Sequence, residues 1–305
     1  MSTLVDPAAL QNPIESVLRQ DRLPTVWCPG CGLGTSVNSF AAGLLKSGLD
    51  QKKVVMVSGI GCSGRVGGYM YLDGFHTTHG RAVPFATGLA LANPELTVVV
   101  YSGDGDLFSI GGNHLIHAAR RNINMLVVCV NNMIYAMTGG QAAASTPGAS
   151  TSTTTPYGSF EPEVNMAQLA DAAGACFVAR WTAFHVKQLE NTMAKALTKK
   201  GFRFIEVLSP CPTYYQRKNN LGDGLAAMRD YKERSKVRHG APTYEVAIVP
   251  GEPIIVGEFV DREREDYLTR MRRQLGTHYV EYEGQEQYIS EDGCGMDNSG
   301  GCGSC

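Results

Sequence analysis

Cys28 and Cys31 stand three apart in CPGCG, a short segment wrapped in glycine and proline. Thiols so spaced on a turn are soft ligands for Zn²⁺ or for an iron–sulfur cluster. Two more thiols lie beside glycine or proline much further along, Cys62 in GIGCSG and Cys211 in SPCPT. Four such ligands from separate loops can enclose a [4Fe–4S] cube, although ligand count alone leaves zinc open. A second set is GDG at 103–105 followed by Asn131 and Asn132. Asp104 offers a charged oxygen and Asn132 a neutral one. With a backbone carbonyl just beyond and phosphate oxygens, they could complete an octahedral Mg²⁺ site. Gly105 would let the backbone approach phosphates closely, above the free N–H groups of the next helix.

Those groups need elements that deliver them to one place. The runs KVVMVSGIG, LTVVVYSGDG, INMLVVCVNN, CFVARW and GFRFIEVLSP read as buried strands. Between them GRAVPFATGLALANP, IGGNHLIHAARRN, NMAQLADAAGA and HVKQLENTMAKALTKK read as helices, the first ended by Pro94. Such alternation predicts an α/β fold with a mostly parallel sheet and helices on both faces. Ligands on these sheets sit beyond the carboxyl ends of strands. GIGCSGR, GDGD, NNMIYAMTGGQ and SPCPT all fall at such ends.

Composition narrows the class. The 305 residues are 43% hydrophobic and 18% charged, with a formal charge of −2. No basic stripe points to nucleic acid, and the apolar runs are strand-sized, too short for a membrane. The opening MSTLVDPAALQNPIES lacks the cationic start and apolar core of an export signal, so a cytoplasmic protein is expected. There the nine cysteines are expected to bind metal or stay free rather than form a disulfide framework. The reading divides the chain into an N-terminal arm (1–22), a cofactor domain (23–215), a charged C-terminal extension (216–290) that wraps a partner or neighbour, and a Gly/Cys-rich tail (291–305). The small polar stretch from Gln141 to Phe160 reads as an active-site loop or a linker.

GDG followed about thirty residues on by NN resembles the thiamine diphosphate motif, which implies Mg²⁺ held by Asp104, Asn132 and the Ile134 carbonyl. WCPGCG, SGIGCSGR, FHTTHGRAVPFATGLALANP, GDGDLFSIGGNHLIHAARRNIN and IYAMTGGQ together resemble the β subunit of 2-oxoacid:ferredoxin oxidoreductases, over roughly Leu23 to Tyr215. The resemblance implies a thiamine-binding fold and one [4Fe–4S] cluster on Cys28, Cys31, Cys62 and Cys211. It implies thiamine diphosphate contacts from Ile60, Gly61, Cys62, Ser63, His79, Gly105, Asp106, Ala136 and Met137. The run CxxCxxCxxxCP of a built-in ferredoxin domain is missing, so electrons would pass to a separate ferredoxin. The implied reaction is reversible oxidative decarboxylation of a 2-oxoacid with coenzyme A, 2-oxoglutarate to succinyl-CoA being the first choice and pyruvate or a broad range the alternative. No glutamate is well placed to activate the thiamine ring. The resemblance assigns that residue to an α subunit, implying an α–β pair that doubles to α₂β₂.

Arg65 follows Cys62 by three residues, and a guanidinium can grip a carboxylate bidentately. It is expected at the distal carboxylate of 2-oxoglutarate. His76 is expected to act less than His79. His114 and His117 read as packing or surface, and Cys129 and Cys176 as core. Cys294, Cys302 and Cys305 read as a flexible tail. Two competing readings remain: a non-redox thiamine lyase or ligase with a structural zinc, and a zinc-stabilised interaction subunit without activity.

Overall fold

The computed structural model describes residues 12–276 together with two short strands, β9 (Tyr279–Tyr282) and β10 (Gln285–Tyr288), which pair antiparallel. The first eleven residues of the expected arm and the tail with Cys294, Cys302 and Cys305 lie outside the described residues.

β-branched runs make the sheet. The strands are β1 (Val54–Ser58), β2 (Asp73–His76), β3 (Thr97–Gly103), β4 (Met125–Asn131), β5 (Phe177–Thr182), β6 (Phe202–Leu208), β7 (Ser235–Val237) and β8 (Ile254–Asp261). They form one eight-stranded sheet in the order β2-β1-β3-β4-β6-β5-β8-β7. All pairings are parallel except β5 with β8, which is antiparallel and bulged between Val178 and Ala179. Every residue of β1, β4, β5 and β6 is buried, as expected of parallel strands covered on both sides.

Alternation sends successive side chains to two separate cores. Val99, Tyr101, Leu126 and Val128 face one, beneath helices α1 (Leu33–Ser47) and α5 (Val186–Thr198). Val98, Val100, Val127 and Phe204 face the other, beneath α2 (Ala82–Ala92), α3 (Gly112–Arg121) and α4 (Met166–Ala172). The expected α/β architecture is thus present.

Two elements were not anticipated. In α1, several glycines and serines mask the helix signal, since both have weak propensity. Packing compensates: Leu33, Val37, Phe40, Ala41 and Leu44 are buried against the core that holds Leu189 and Met193. Gly43 lets the helices approach, because a Cβ there would lie 2.7 Å from the Met193 Cβ. The second surprise is β8. It lies within the segment read as an extension, yet Ile254, Val256 and Phe259 are buried and it hydrogen-bonds to β5. That segment therefore adds strands to the sheet besides α6 (Gly224–Arg234) and α7 (Tyr267–Leu275). Among the described residues no helix is long and apolar enough to cross a membrane.

Phe40 is fully buried, with its ring edge-on to Tyr101 at 5.9 Å between centroids. Phe40→Ala is expected to lower unfolding stability by about 3–5 kcal/mol. Chemical denaturation would measure it; a loss below about 1 kcal/mol contradicts this packing.

Candidate active site

The carboxyl ends of β1, β3, β4 and β6 open into one cleft, and the segments expected to carry chemistry all emerge there. After β1 come Ile60 to Ser63. After β3 comes the π-helical turn Gly105–Ile110 that leads into α3. After β4 the chain passes Asn132 and turns at Met133, whose φ of 64° is left-handed. Asn131 Oδ1 holds this turn by accepting from the Met133 N–H at 3.0 Å. After β6 come Ser209 to Cys211.

Ile60, Gly61, Cys62, Ser63, His79, Asp104, Gly105, Asp106, Asn132, Ile134, Ala136 and Met137 line one small cavity of about 60 Å³. These are the residues expected at the diphosphate and its metal. Gly61 keeps part of the cleft open, since a Cβ there would meet nothing within 4 Å. Gly105 is required by the Tyr135 ring, which a Cβ would meet at 2.4 Å. The Tyr135 hydroxyl donates to the Gly105 carbonyl at 2.9 Å, tying the GDG turn to the NN loop.

Asp104 is, with Asp106, one of two carboxylates that line this cavity. Burial pushes its carboxyl up to about 6, against hydrogen bonds from the Ser145 hydroxyl and from backbone N–H groups that include Gly105 and Asn132. A buried carboxylate under that strain fits a cation beside it. Asn132 Oδ1 accepts from the Ile134 N–H at 3.3 Å, so the side chain is already oriented in the loop. Ser145 comes from the small polar stretch, which here folds over Asp104.

Asp106 is held differently. Its Oδ1 accepts from the Gly80 N–H at 2.8 Å and meets His79 Nδ1, while its Oδ2 accepts from the Ser102 hydroxyl at 2.7 Å. The carboxylate therefore orients His79, whose ring stands edge-on to Tyr135. Gly59 makes room, because a Cβ would lie 2.0 Å from Asp106 Oδ2. His76 points elsewhere, its Nδ1 lying 3.3 Å from the Ser58 hydroxyl.

The four expected cluster thiols come together against this cavity. A Cβ on Gly32 would sit 2.7 Å from Ser209 Oγ and 3.0 Å from Pro210 Cδ, so CPGCG packs on the segment that carries Cys211. The Trp27 indole N–H donates to the Cys62 carbonyl at 2.8 Å, and the Thr213 hydroxyl to Cys28 Sγ at 3.2 Å. Cys62 and Cys211 belong to a small cluster with Ile134 and Ala136, the wall of the cofactor cavity. Burial pushes the Cys31 thiol up to about 12, and the sulfurs of Cys211, Cys62 and Cys28 push the same way. Burial likewise raises Cys62 and Cys211, with neighbouring sulfurs again contributing. Among the described residues no three His, Cys, Asp or Glu side chains are grouped closely enough to hold a single metal ion.

Arg65 lies on the adjoining larger cavity of about 580 Å³, with Arg19, Arg22, His76 and Met137 also on its walls. Ile60, Gly61 and Met137 belong to both cavities. Cys129 and Cys176 are buried in the core, and His117 is exposed on α3.

The residues that hold the NN loop from behind escaped sequence reasoning. Glu206 on β6 is fully buried; its Oε1 accepts from Asn131 Nδ2 at 2.8 Å and its Oε2 from Arg180 Nε at 2.7 Å. Arg180, equally buried, also donates to the Val246 carbonyl. A charge inside FIEVL and another inside VARWT were the available signals: in strands buried on both faces, charges need partners.

A cavity beyond the carboxyl ends of a doubly covered, mostly parallel sheet is where thiamine-dependent enzymes hold their cofactor. Residues 40–207 match the family model described as thiamine pyrophosphate enzyme, C-terminal TPP binding domain. The chain is 49% identical over 261 residues to 2-oxoglutarate synthase subunit KorB of Methanothermobacter marburgensis, covering 86% of this chain and 91% of that protein. It is 46% identical over 264 residues to the same subunit of Methanocaldococcus jannaschii, covering 87% and 97%. A solved 2-oxoglutarate:ferredoxin oxidoreductase from Magnetococcus marinus, with 2-oxoglutarate, coenzyme A and succinyl-CoA bound, superposes with a TM-score of 0.78 at 32% identity, covering 90% of this chain and 94% of that one. The chain belongs to the β subunits of the 2-oxoacid:ferredoxin oxidoreductases.

Glu206→Gln leaves Arg180 buried without its counter-charge. It is expected to cost about 3–5 kcal/mol of stability. Glu206→Gln combined with Arg180→Met should recover part of that loss in the same denaturation measurement; equal stability of Glu206→Gln and the unaltered protein contradicts the role given to the pair.

Proposed function

We propose that this chain, paired with an α subunit as α₂β₂, oxidises 2-oxoglutarate with coenzyme A to succinyl-CoA and CO₂, reversibly, in the cytoplasm, with ferredoxin as electron acceptor. The carrying observation is that Cys28, Cys31, Cys62 and Cys211 lie close enough to interact with one another and that one of them, Cys62, also lines the cavity with Asp104 and Asn132. The relatives' names and the ligands in the Magnetococcus structure support 2-oxoglutarate and coenzyme A as substrates. We assign the domain 23–215 to cofactor binding and 216–290 to an extension that contributes to the sheet.

In this reading Asp104, Asn132 and the Ile134 carbonyl hold Mg²⁺. Ile60, Gly61, Cys62, Ser63, His79, Gly105, Asp106, Ala136 and Met137 surround thiamine diphosphate. Cys28, Cys31, Cys62 and Cys211 hold a [4Fe–4S] cluster. The donor sets fit: a desolvated carboxylate with amide and carbonyl oxygens suits a hard cation, and four thiols suit iron. When bound, thiamine diphosphate supplies the carbanion chemistry of 2-oxoacid decarboxylation, and the cluster supplies one-electron transfer.

The chain's own residues prepare the site. Asp106 fixes the His79 ring through Nδ1, leaving Nε2 to donate to or accept from a ligand in the cavity. Ser102 and the Gly80 N–H saturate Asp106, so that its carboxylate stays in place. Ser145 closes the small polar loop over Asp104 and excludes water from it. Arg65, on the adjoining cavity, contacts the distal carboxylate of the substrate. The glutamate that activates the thiamine ring comes from the α subunit.

Two kinds of measurement test this, activity and stability against pH. The α–β complex should reduce methyl viologen with 2-oxoglutarate and coenzyme A, and this chain alone should not. Arg65→Ala should cut kcat/KM for 2-oxoglutarate about tenfold or more while leaving pyruvate nearly unchanged; equal losses on both remove the role of Arg65. The second uses pH. Asp104 lies above the usual carboxylate value of about 3.9, so the empty site binds its proton more tightly folded than unfolded, and its contribution to stability falls as pH rises from about 4 to about 6. Mg²⁺ with thiamine diphosphate should therefore raise the melting temperature more at about pH 7.5 than at about pH 5.5. An Asp104→Asn variant that shows the same pH trend contradicts the assignment.

A further inference from the structure

Each of the four thiols is met by a hydrogen-bond donor, and the donors are of two kinds. Against burial, which raises Cys31, Cys62 and Cys211, backbone groups favour the thiolate: those of Leu33 at Cys31, of Tyr215 and Tyr214 at Cys211, and of Cys62 itself. Cys28 is met by a side chain instead. The Thr213 hydroxyl donates to its Sγ at 3.2 Å, from 185 residues further along the chain. Among the described residues, no other side chain donates a hydrogen bond to any of these four sulfurs.

The backbone fixes this donor. Pro212–Gln216 is a π-helical turn capped by Cys211, and the Gln216 N–H closes it on the Cys211 carbonyl at 3.2 Å. Thr213 therefore sits two residues beyond one of the four thiols and reaches another. The CPGCG loop packs on the same turn: Gly30 has a φ of +78°, and a Cβ there would lie 3.7 Å from Pro212 Cγ and 3.0 Å from the Gly224 Cα. The Cys31 N–H donates to the Cys28 carbonyl at 3.0 Å and holds the loop closed. A β-branched threonine has few rotamers, and its hydroxyl goes to sulfur rather than to a carbonyl of its own turn. Cys28 is the exposed thiol of the four. Water can donate to an exposed sulfur, but a fixed hydroxyl does so without the cost of ordering a solvent molecule. Thiolates around a cluster carry more negative charge after an electron arrives than before. A donor on one of them stabilises the reduced form more than the oxidised form, which raises the reduction potential.

Resting on the cluster assignment above, we infer that Thr213, acting through its hydrogen bond to Cys28, raises the reduction potential of the [4Fe–4S] cluster. One electron converts the oxidised cluster to the reduced cluster. No covalent bond is made or broken, and the Thr213 proton stays on its oxygen. Oxidation of one 2-oxoacid supplies two such electrons, and each leaves to one oxidised ferredoxin. Without the hydroxyl the cluster is harder to fill and easier to empty.

The test is a dye-mediated redox titration of the anaerobically purified α–β complex, followed by the low-temperature spin-resonance signal of the reduced cluster. Unaltered protein, Thr213→Val and Thr213→Ser are compared. Thr213→Val keeps the side-chain shape and lacks the donor. At a fixed solution potential its ratio of reduced to oxidised cluster should fall about tenfold, a shift of about −59 mV for one electron. Thr213→Ser keeps the hydroxyl, and its ratio should stay within about twofold of the unaltered one. Exchange into heavy water gives a second reading that survives partial loss of iron. Electron–nuclear double resonance of the reduced cluster should show an exchangeable proton coupling in the unaltered and Thr213→Ser proteins that Thr213→Val lacks. An unchanged potential in Thr213→Val, the same shift in Thr213→Ser, or an exchangeable coupling that Thr213→Val retains in full overturns the role of Thr213. Absence of iron from the unaltered complex overturns instead the cluster assignment beneath it.

Discussion

Cys62 sits in two environments at once. Its carbonyl accepts from the Trp27 indole next to CPGCG, and its side chain packs with Cys211, Ile134 and Ala136. The same residue lines the cavity that holds Asp104 and Asn132. Everything proposed for this protein depends on that shared wall. Electron transfer falls steeply with distance, so a cluster serves thiamine chemistry best where ligand and pocket are neighbours, as a shared Cys62 makes them. A parallel sheet provides this economically, because its strands all deliver their carboxyl ends to one edge.

Desolvation is the common electrostatic theme. Burial raises Asp104, Cys31, Cys62 and Cys211 alike, and each is an anion when it serves as a ligand. Such groups are poorly accommodated without cations, which is the thermodynamic reason that metal binding and local folding are coupled. Rigidity comes from fully satisfied groups behind them: the Arg180–Glu206–Asn131 chain under the NN loop, and Ser102 with Gly80 around Asp106. The loop keeps a left-handed residue, Met133, because that chain over-determines its position.

Much of this could be read from the residues in order. Strands β1, β3, β4, β5 and β6 announce themselves because burial on both faces favours runs rich in apolar, β-branched and aromatic residues, and the strand ends locate the cleft. What stayed hidden lacked a local signature. Helix α1 carries a glycine, Gly43, that only the crossing with α5 explains. Strand β8 is short of period-2 contrast and pairs with a strand about eighty residues earlier. Arg180 and Glu206 each show as a charge in a buried strand, but only the sheet register, which sets them opposite each other, reveals that they pair. Tyr135, Ser145 and Gly59 shape the cavity through contacts that no spacing rule reports. Chemistry carried by rare residue types was legible; support supplied by common types in tertiary contact was not.

The central claim is that Cys28, Cys31, Cys62 and Cys211 bind iron next to a working thiamine pocket. Iron and acid-labile sulfide, assayed together with the low-temperature spin-resonance signal of dithionite-reduced, anaerobically purified α–β complex, test it most directly. The account predicts about four iron atoms per β chain, lost in Cys211→Ala while bound thiamine diphosphate is retained. Stoichiometric zinc in place of iron, or an iron content that Cys211→Ala leaves untouched, would contradict it.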